Sequence, residues 1–163
     1  MQSVYIETSI ISYMTARPSR DVRVAAWQQL TAQWWARERK RYELFASELV
    51  RAESAEGDQD AAQRRLEMQH DVPVLLVDEE SETLAKRLID AGGFPATSES
   101  DALHVAVAAV HGVDYLLTWN CRPINNAATK PIVRSICVLA GYRCPEICTP
   151  QELLLEDSND VSR

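Results

Sequence analysis

Four polar side chains stand where short apolar runs give way to something else. Glu7 closes Val4-Tyr5-Ile6, Glu48 follows Tyr42-Glu43-Leu44-Phe45-Ala46 by two residues, Asp101 opens a helix of small residues, and Asn120 comes directly after Asp114–Trp119. Carboxylates gathered without a basic partner repel one another, which is tolerable when a cation neutralises them or they take up protons. Oxygen-only donor sets favour hard ions such as Mg²⁺ or Mn²⁺. That chemistry suits phosphodiester cleavage, in which an ion acidifies a bound water and a second ion, about 3.5–4 Å away, steadies the leaving oxygen. Thr8, Ser9 and Thr118 are the hydroxyls placed to orient waters or phosphate oxygens. Taken one at a time, each acid reads more simply as a helix-start residue favoured by the dipole. Their shared topological placement is what favours a joint site.

The elements that must position these groups are readable from hydrophobic period and punctuation. Strands are expected at Val4–Glu7, Tyr42–Ala46, Val72–Val77, Asp114–Trp119 and around Glu146–Cys148. The third, almost entirely apolar, reads as a parallel strand covered on both faces. Helices are expected after Thr8-Ser9, over about Asp21–Arg39, from a Ser47 cap through Glu48 and Val50, from an Asp58 cap to about Gln69, over Glu79–Asp90, Ser100–His111 and Pro131–Ala140, with another starting at Thr149-Pro150. In the second of these, Val24, Trp27, Leu30 and Trp34 recur at helical spacing, so Trp35 must point elsewhere, toward a partner surface. Strands alternating with helices predict an α/β domain with a parallel sheet, right-handed crossovers and ligands at the carboxyl ends of the strands.

At 163 residues and 46% hydrophobic content the chain is sized for one domain, expected over 1–155, with an acidic tail over 156–163 that should fray. A net charge of −7 argues against a passive nucleic-acid binder, so any such contact needs a local basic patch or a bound cation. With no export signal at Met1-Gln2-Ser3 and no apolar run near about 18 residues, the expected location is cytoplasmic and no membrane is involved. Cys121, Cys137, Cys144 and Cys148 lack a CxxC pair and sit far from His70, His104 and His111, so free thiols are expected, not a zinc site.

The runs Tyr5-Ile6-Glu7-Thr8-Ser9, Ser47-Glu48-Leu49-Val50-Arg51-Ala52-Glu53 and the block from Ser100-Asp101-Ala102-Leu103-His104 to Leu117-Thr118-Trp119-Asn120 resemble the PIN-domain family, and within it the VapC-type toxins, over roughly residues 3–155. The resemblance implies a three-layer α/β fold with a five-stranded parallel sheet of order 3-2-1-4-5, and a Mg²⁺- or Mn²⁺-dependent ribonuclease. It carries the family's four ligand positions onto Glu7, Glu48, Asp101 and Asn120. Glu7 stands where the family usually has Asp, and Asn120 puts a neutral amide where the family has a charge, which should weaken metal binding. A homodimer and a covering antitoxin protein are also implied. The alternative is a degenerate member that binds RNA or a protein without cleavage.

Smaller signals fit around this frame. Arg17, Arg20, Arg51 and Arg122 fall near the expected active edge and are the candidate RNA phosphate contacts. Arg37–Arg41 reads as a helix-end cluster on the opposite edge, and Asp114 as a strand-entry residue about 20 Å from Asn120. His104 reads as a hydrogen-bonded structural histidine and His111 as a helix C-terminal residue. Tyr13, Met14 and Trp35 either face a partner or pack in the core. A receiver-like phosphoacceptor, suggested by Asp78 and Thr118, wants an acidic pair after the first strand and a lysine after the fifth, which this chain lacks.

Overall fold

A computed structural model describes residues 1–155, and the expected tail over 156–163 lies outside the described residues. Its core is a five-stranded, all-parallel sheet of order β3-β2-β1-β4-β5, built from β1 (Ser3–Ile6), β2 (Glu43–Ser47), β3 (Val74–Leu75), β4 (Tyr115–Leu117) and β5 (Glu146–Cys148). All four residues of β1 are buried, as the central strand of a sheet flanked by helices must be. Among the described residues seven α-helices connect and flank the strands: α1 (Thr8–Thr15), α2 (Val22–Arg37), α3 (Glu48–Ser54), α4 (Gln59–Met68), α5 (Glu79–Asp90), α6 (Glu99–Val110) and α7 (Lys130–Leu139). By contact they form two groups, α1 packing on α2, α3 and α4, and α5 packing on α6 and α7.

Local chemistry explains most of the boundaries. Asp21, Ser47, Asp58 and Asp78 each accept a backbone N–H two or three residues on, capping α2, α3, α4 and α5. Along α6, Ala102, Val105, Ala106 and Ala108 are fully buried, and their small volume admits the helix close to the sheet and to α5.

The third strand is the main departure from expectation. Only Val74–Leu75 pair, and they pair with β2 at the sheet edge, where Val74 is 39% and Leu76 61% exposed. An apolar run marks a strand but not the number of its neighbours, and this one has a single partner. No helix follows Thr149-Pro150 among the described residues, and Arg39–Arg41 adds an unforeseen 3₁₀ turn. None of the described helices is long and apolar enough to cross a membrane.

Candidate metal centre

The strand order reverses between β1 and β4 near the middle of the all-parallel sheet, and the carboxyl end of that switch point is the usual ligand region of an open α/β fold. Glu7 lies in it, tied to the end of β4 by a bond from its N–H to Leu117 O, 3.1 Å. Its carboxylate is 5% exposed and caps α1. Three donors converge on the single oxygen Oε2: Ser9 N at 3.0 Å, Thr118 Oγ1 at 2.8 Å, and the Ser9 hydroxyl in a close bond. Ser9 Oγ in turn accepts from Trp119 N at 2.9 Å, and Thr118 Oγ1 from Asn120 N at 2.9 Å. Ser9 and Thr118, two of the three hydroxyls expected to orient water, are therefore engaged in holding Glu7 and the loop after β4.

Glu53, and not Glu48, joins it. Ligand atoms of Glu7, Glu53 and His104 all lie within 4.8 Å of one another. Glu53 Oε1 accepts from Thr8 Oγ1 at 2.6 Å and pairs with His104 Nε2 at 2.6 Å. Burial pushes the Glu53 carboxyl up, but the His104 and Thr8 contacts outweigh it and hold it below the usual carboxylate range. Glu48 is exposed at the first position of α3, and its Oε2 accepts from Val77 N at 2.8 Å, beyond the end of β3. Five residues of helix separate the two acids by about 7.5 Å of rise and about 140° of turn, so they cannot share a face. The signal for Glu53 was available: it lies three residues after Val50 and one before Ser54, both fully buried, and so falls on the inward stripe of α3.

Asp101, half-buried in the first turn of α6, has its carboxyl raised by burial, partly offset by His104, and raised further by the negative charges of Glu7 and Glu53. Its Oδ1 accepts from Asn120 Nδ2 at 3.0 Å. Asn120 Oδ1 already accepts from Arg122 N at 3.2 Å, so the amide sequence reasoning assigned as a ligand has both ends occupied within the protein. It braces Asp101.

The three acids share one arrangement. Each has one oxygen held by protein donors, while Glu7 Oε1, Glu53 Oε2 and Asp101 Oδ2 have no partner among the described residues, and no lysine or arginine there is paired with any of them. Hard oxygen donors, net negative charge and one open oxygen apiece fit a small divalent cation.

A profile of the PIN domain family matches residues 4–127. The chain belongs to the PIN domain family. Among solved structures, the VapBC2 complex from Rickettsia felis, bound to a DNA fragment from their promoter, has a chain similar in fold to this PIN domain, with a TM-score of 0.55 at 13% identity over 91% of this chain and 98% of that one. No curated protein matches.

The remaining residues singled out in the sequence distribute around this PIN domain as follows. Arg17 lines a groove with Arg64, Arg65, Asp58 and Asp60, while Arg20 and Arg122 are exposed and Arg51 is half-buried on α3. Asp114 lies at the amino end of β4, accepting from Ser3 N at 2.8 Å and from Arg143, so it is a strand-entry residue. Tyr13 does not form a free apolar face: it meets Trp27 and Trp119 edge-on, and those two indoles stack at 5.3 Å. Trp35, also expected at a partner surface, packs partly against the core with the Arg39 guanidinium 4.5 Å over its ring. The four cysteines are free.

Proposed function

We propose that this chain is a Mg²⁺- or Mn²⁺-dependent endoribonuclease, the toxin of a toxin-antitoxin pair, with Glu7, Glu53 and Asp101 as the cation ligands. The observation that carries this reading is the open oxygen on each of three carboxylates whose other oxygen is fixed by N–H or O–H donors. A divalent cation supplies Lewis acidity and an acidified water for attack on phosphorus. The chain's own contribution is geometric: Ser9 and Thr118 fix Glu7, Thr8 and His104 fix Glu53, and Asn120 fixes Asp101, so that little reorganisation remains when the ion arrives. A net charge of −7 also favours a cation as the bridge to a polyanionic substrate, with Arg17, Arg20, Arg51 and Arg122 as backbone contacts. Membership of the PIN family supports nuclease chemistry, and the fold shared with a chain of the VapBC2 complex supports an antitoxin partner; a homodimer and a cytoplasmic site of action are what the resemblance to VapC-type toxins implies.

The test is cleavage of a panel of single-stranded and structured RNAs by antitoxin-free protein with Mn²⁺ or Mg²⁺. Cleavage should disappear with EDTA and with Asp101→Ala. A wild-type protein that neither binds a divalent cation nor cuts any of these RNAs overturns the proposal. Asn120 motivates a second reading, a member that binds RNA or protein without turnover, since its amide is occupied by Asp101 and Arg122. Cation binding without cleavage would select it.

A further inference from the structure

His104 offers a ring nitrogen within 4.8 Å of ligand atoms of Glu7 and Glu53, and proximity alone would make it a ligand. Its hydrogen bonds point elsewhere. The ring is fully buried, with Nδ1 2.7 Å from Tyr5 Oη and Nε2 2.6 Å from Glu53 Oε1. Tyr5 Oη is 2.7 Å from Ser47 Oγ, which accepts from Val50 N at 3.1 Å.

Proton accounting gives this chain of contacts a direction. Glu53 Oε1 already accepts from Thr8, so the hydrogen between Glu53 and His104 sits on Nε2. If Nδ1 carried a hydrogen as well, Tyr5 would accept it and donate to Ser47, whose own hydrogen would then have no acceptor among the described residues. One arrangement uses every hydrogen: Ser47 donates to Tyr5, Tyr5 donates to His104 Nδ1, and His104 Nε2 donates to Glu53. Both ring nitrogens are then spent. Neither has a lone pair for an ion unless a buried hydrogen bond breaks, and each such loss costs about 1–3 kcal/mol.

We infer that His104 is a positioning residue for Glu53, not a cation ligand: the buried relay Ser47–Tyr5–His104 pins Glu53 Oε1 and leaves Oε2 as the oxygen offered to the ion. This rests on the cation-centre reading above. Tyr5 lies on β1, Ser47 ends β2, Glu53 is on α3 and His104 on α6, so the relay fixes a carboxylate on a short helix to β1, to β2 and to the helix that carries Asp101. Outer partners of this kind typically change metal affinity about 10–100-fold when removed.

The test begins with the unmodified chain, ¹⁵N-labelled, whose histidine ring nitrogens are read by long-range proton–nitrogen correlation before and after adding Mg²⁺. The expected His104 signature is a protonated Nε2 and an unprotonated Nδ1, the same with and without the ion. An Nδ1–H tautomer in the metal-free spectrum, or loss of the Nε2 hydrogen when Mg²⁺ is added, overturns the inference. A wild-type protein that shows no response to Mg²⁺ at any group overturns the cation-centre reading instead, because the direction of the relay is scored before the ion is added. Mn²⁺ titration by calorimetry supplies a second readout: His104→Ala should bind about 10–100-fold more weakly, while His104→Gln, whose amide N–H can stand in for Nε2–H, should stay within about threefold of wild type. Equal losses in two folded variants would count against positioning. Tyr5→Phe, which removes only the donor to Nδ1, should fall between them.

Discussion

Asn120 and Asp101 face each other across the gap between the end of β4 and the first turn of α6, joined by an amide-to-carboxylate hydrogen bond of 3.0 Å. A neutral donor here relieves charge that a fourth carboxylate would add. Asn120→Asp would set two carboxylate oxygens against each other at that separation and lose the bond. We expect the cation-free variant to be less stable by about 1–2 kcal/mol, roughly 2–8 °C in Tm. Added Mn²⁺ should close the gap, so the variant's Tm should respond to Mn²⁺ more steeply than that of wild type. Thermal melts with and without the ion check this, and an equal response in both proteins would remove Asn120 from the site.

The two glutamates of α3 separate cleanly by mutation. Glu53→Ala removes an inward carboxylate, and about 10²-fold or more of the Mn²⁺ affinity and RNA cleavage should go with it. Glu48→Ala breaks a surface bond to Val77 N and should leave both within about threefold, with a stability cost of at most about 1 kcal/mol. Calorimetry and a cleavage assay on the pair decide between them.

Thr31 is fully buried on α2, where its Oγ1 donates to Trp27 O at 2.6 Å and accepts from Trp119 Nε1 at 2.7 Å. Thr31→Val keeps the shape and leaves the indole N–H without a partner. Urea unfolding should show a loss of about 1–3 kcal/mol. Because Trp119 precedes Asn120, the same variant should also loosen Asp101 and weaken Mn²⁺ binding by several fold.

Asp114, at the amino end of β4, gives a pH signature at the opposite edge of the sheet from Glu7. Hydrogen bonds from Ser3 N, opposed by slight burial and aided by Arg143 and the Ser3 hydroxyl, hold its carboxyl below the usual aspartate range. A depressed folded value means that its stabilisation is complete above the unfolded aspartate value of about 3.9 and is lost as pH falls through the folded value. Asp114→Asn should therefore be less stable than wild type at pH 7, by about 1 kcal/mol, with the difference closing as pH drops toward 3. Urea titrations across that range measure it.

Thiol labelling should follow burial and acidity. Cys121 is exposed, whereas Cys137 and Cys148 are buried, and burial pushes the Cys148 thiol up to about 12. Iodoacetamide at pH 8 should modify Cys121 first and leave Cys137 and Cys148 untouched until denaturant is added. Mass spectrometry of the labelled peptides checks the order.

Much of this architecture was legible in the residues themselves. Apolar runs ending at Glu7 and Trp119, and the Ser47 and Asp58 caps, located most of the strands and helices to within a residue or two, because period and capping are local properties. The helix-start positions of Glu7 and Asp101 were legible too: Glu7 caps α1 and Asp101 lies in the first turn of α6. Nearness to a strand end favours Glu48, whereas the inward stripe set by Val50 and Ser54 favours Glu53, and it is Glu53 that lies beside Glu7 and His104. Asn120 could not be assigned from the sequence, because whether an amide faces an ion or a neighbouring carboxylate depends on the N–H of Arg122 and the placement of Asp101. The Tyr5–His104 contact joins residues 99 apart in the chain and leaves no local trace.

Ser47 carries two duties with one hydroxyl. It starts α3 by accepting from Val50 N, and it heads the relay through Tyr5. Any replacement there is judged twice, once by whether the helix begins on time and once by whether an acid a turn and a half later still lands where it is needed. Threonine retains the oxygen but brings an extra methyl into a fully buried niche, and alanine or glycine surrenders both duties together. Two unrelated demands meet on one atom, so the onset of a short helix and the aim of a distant carboxylate are physically coupled.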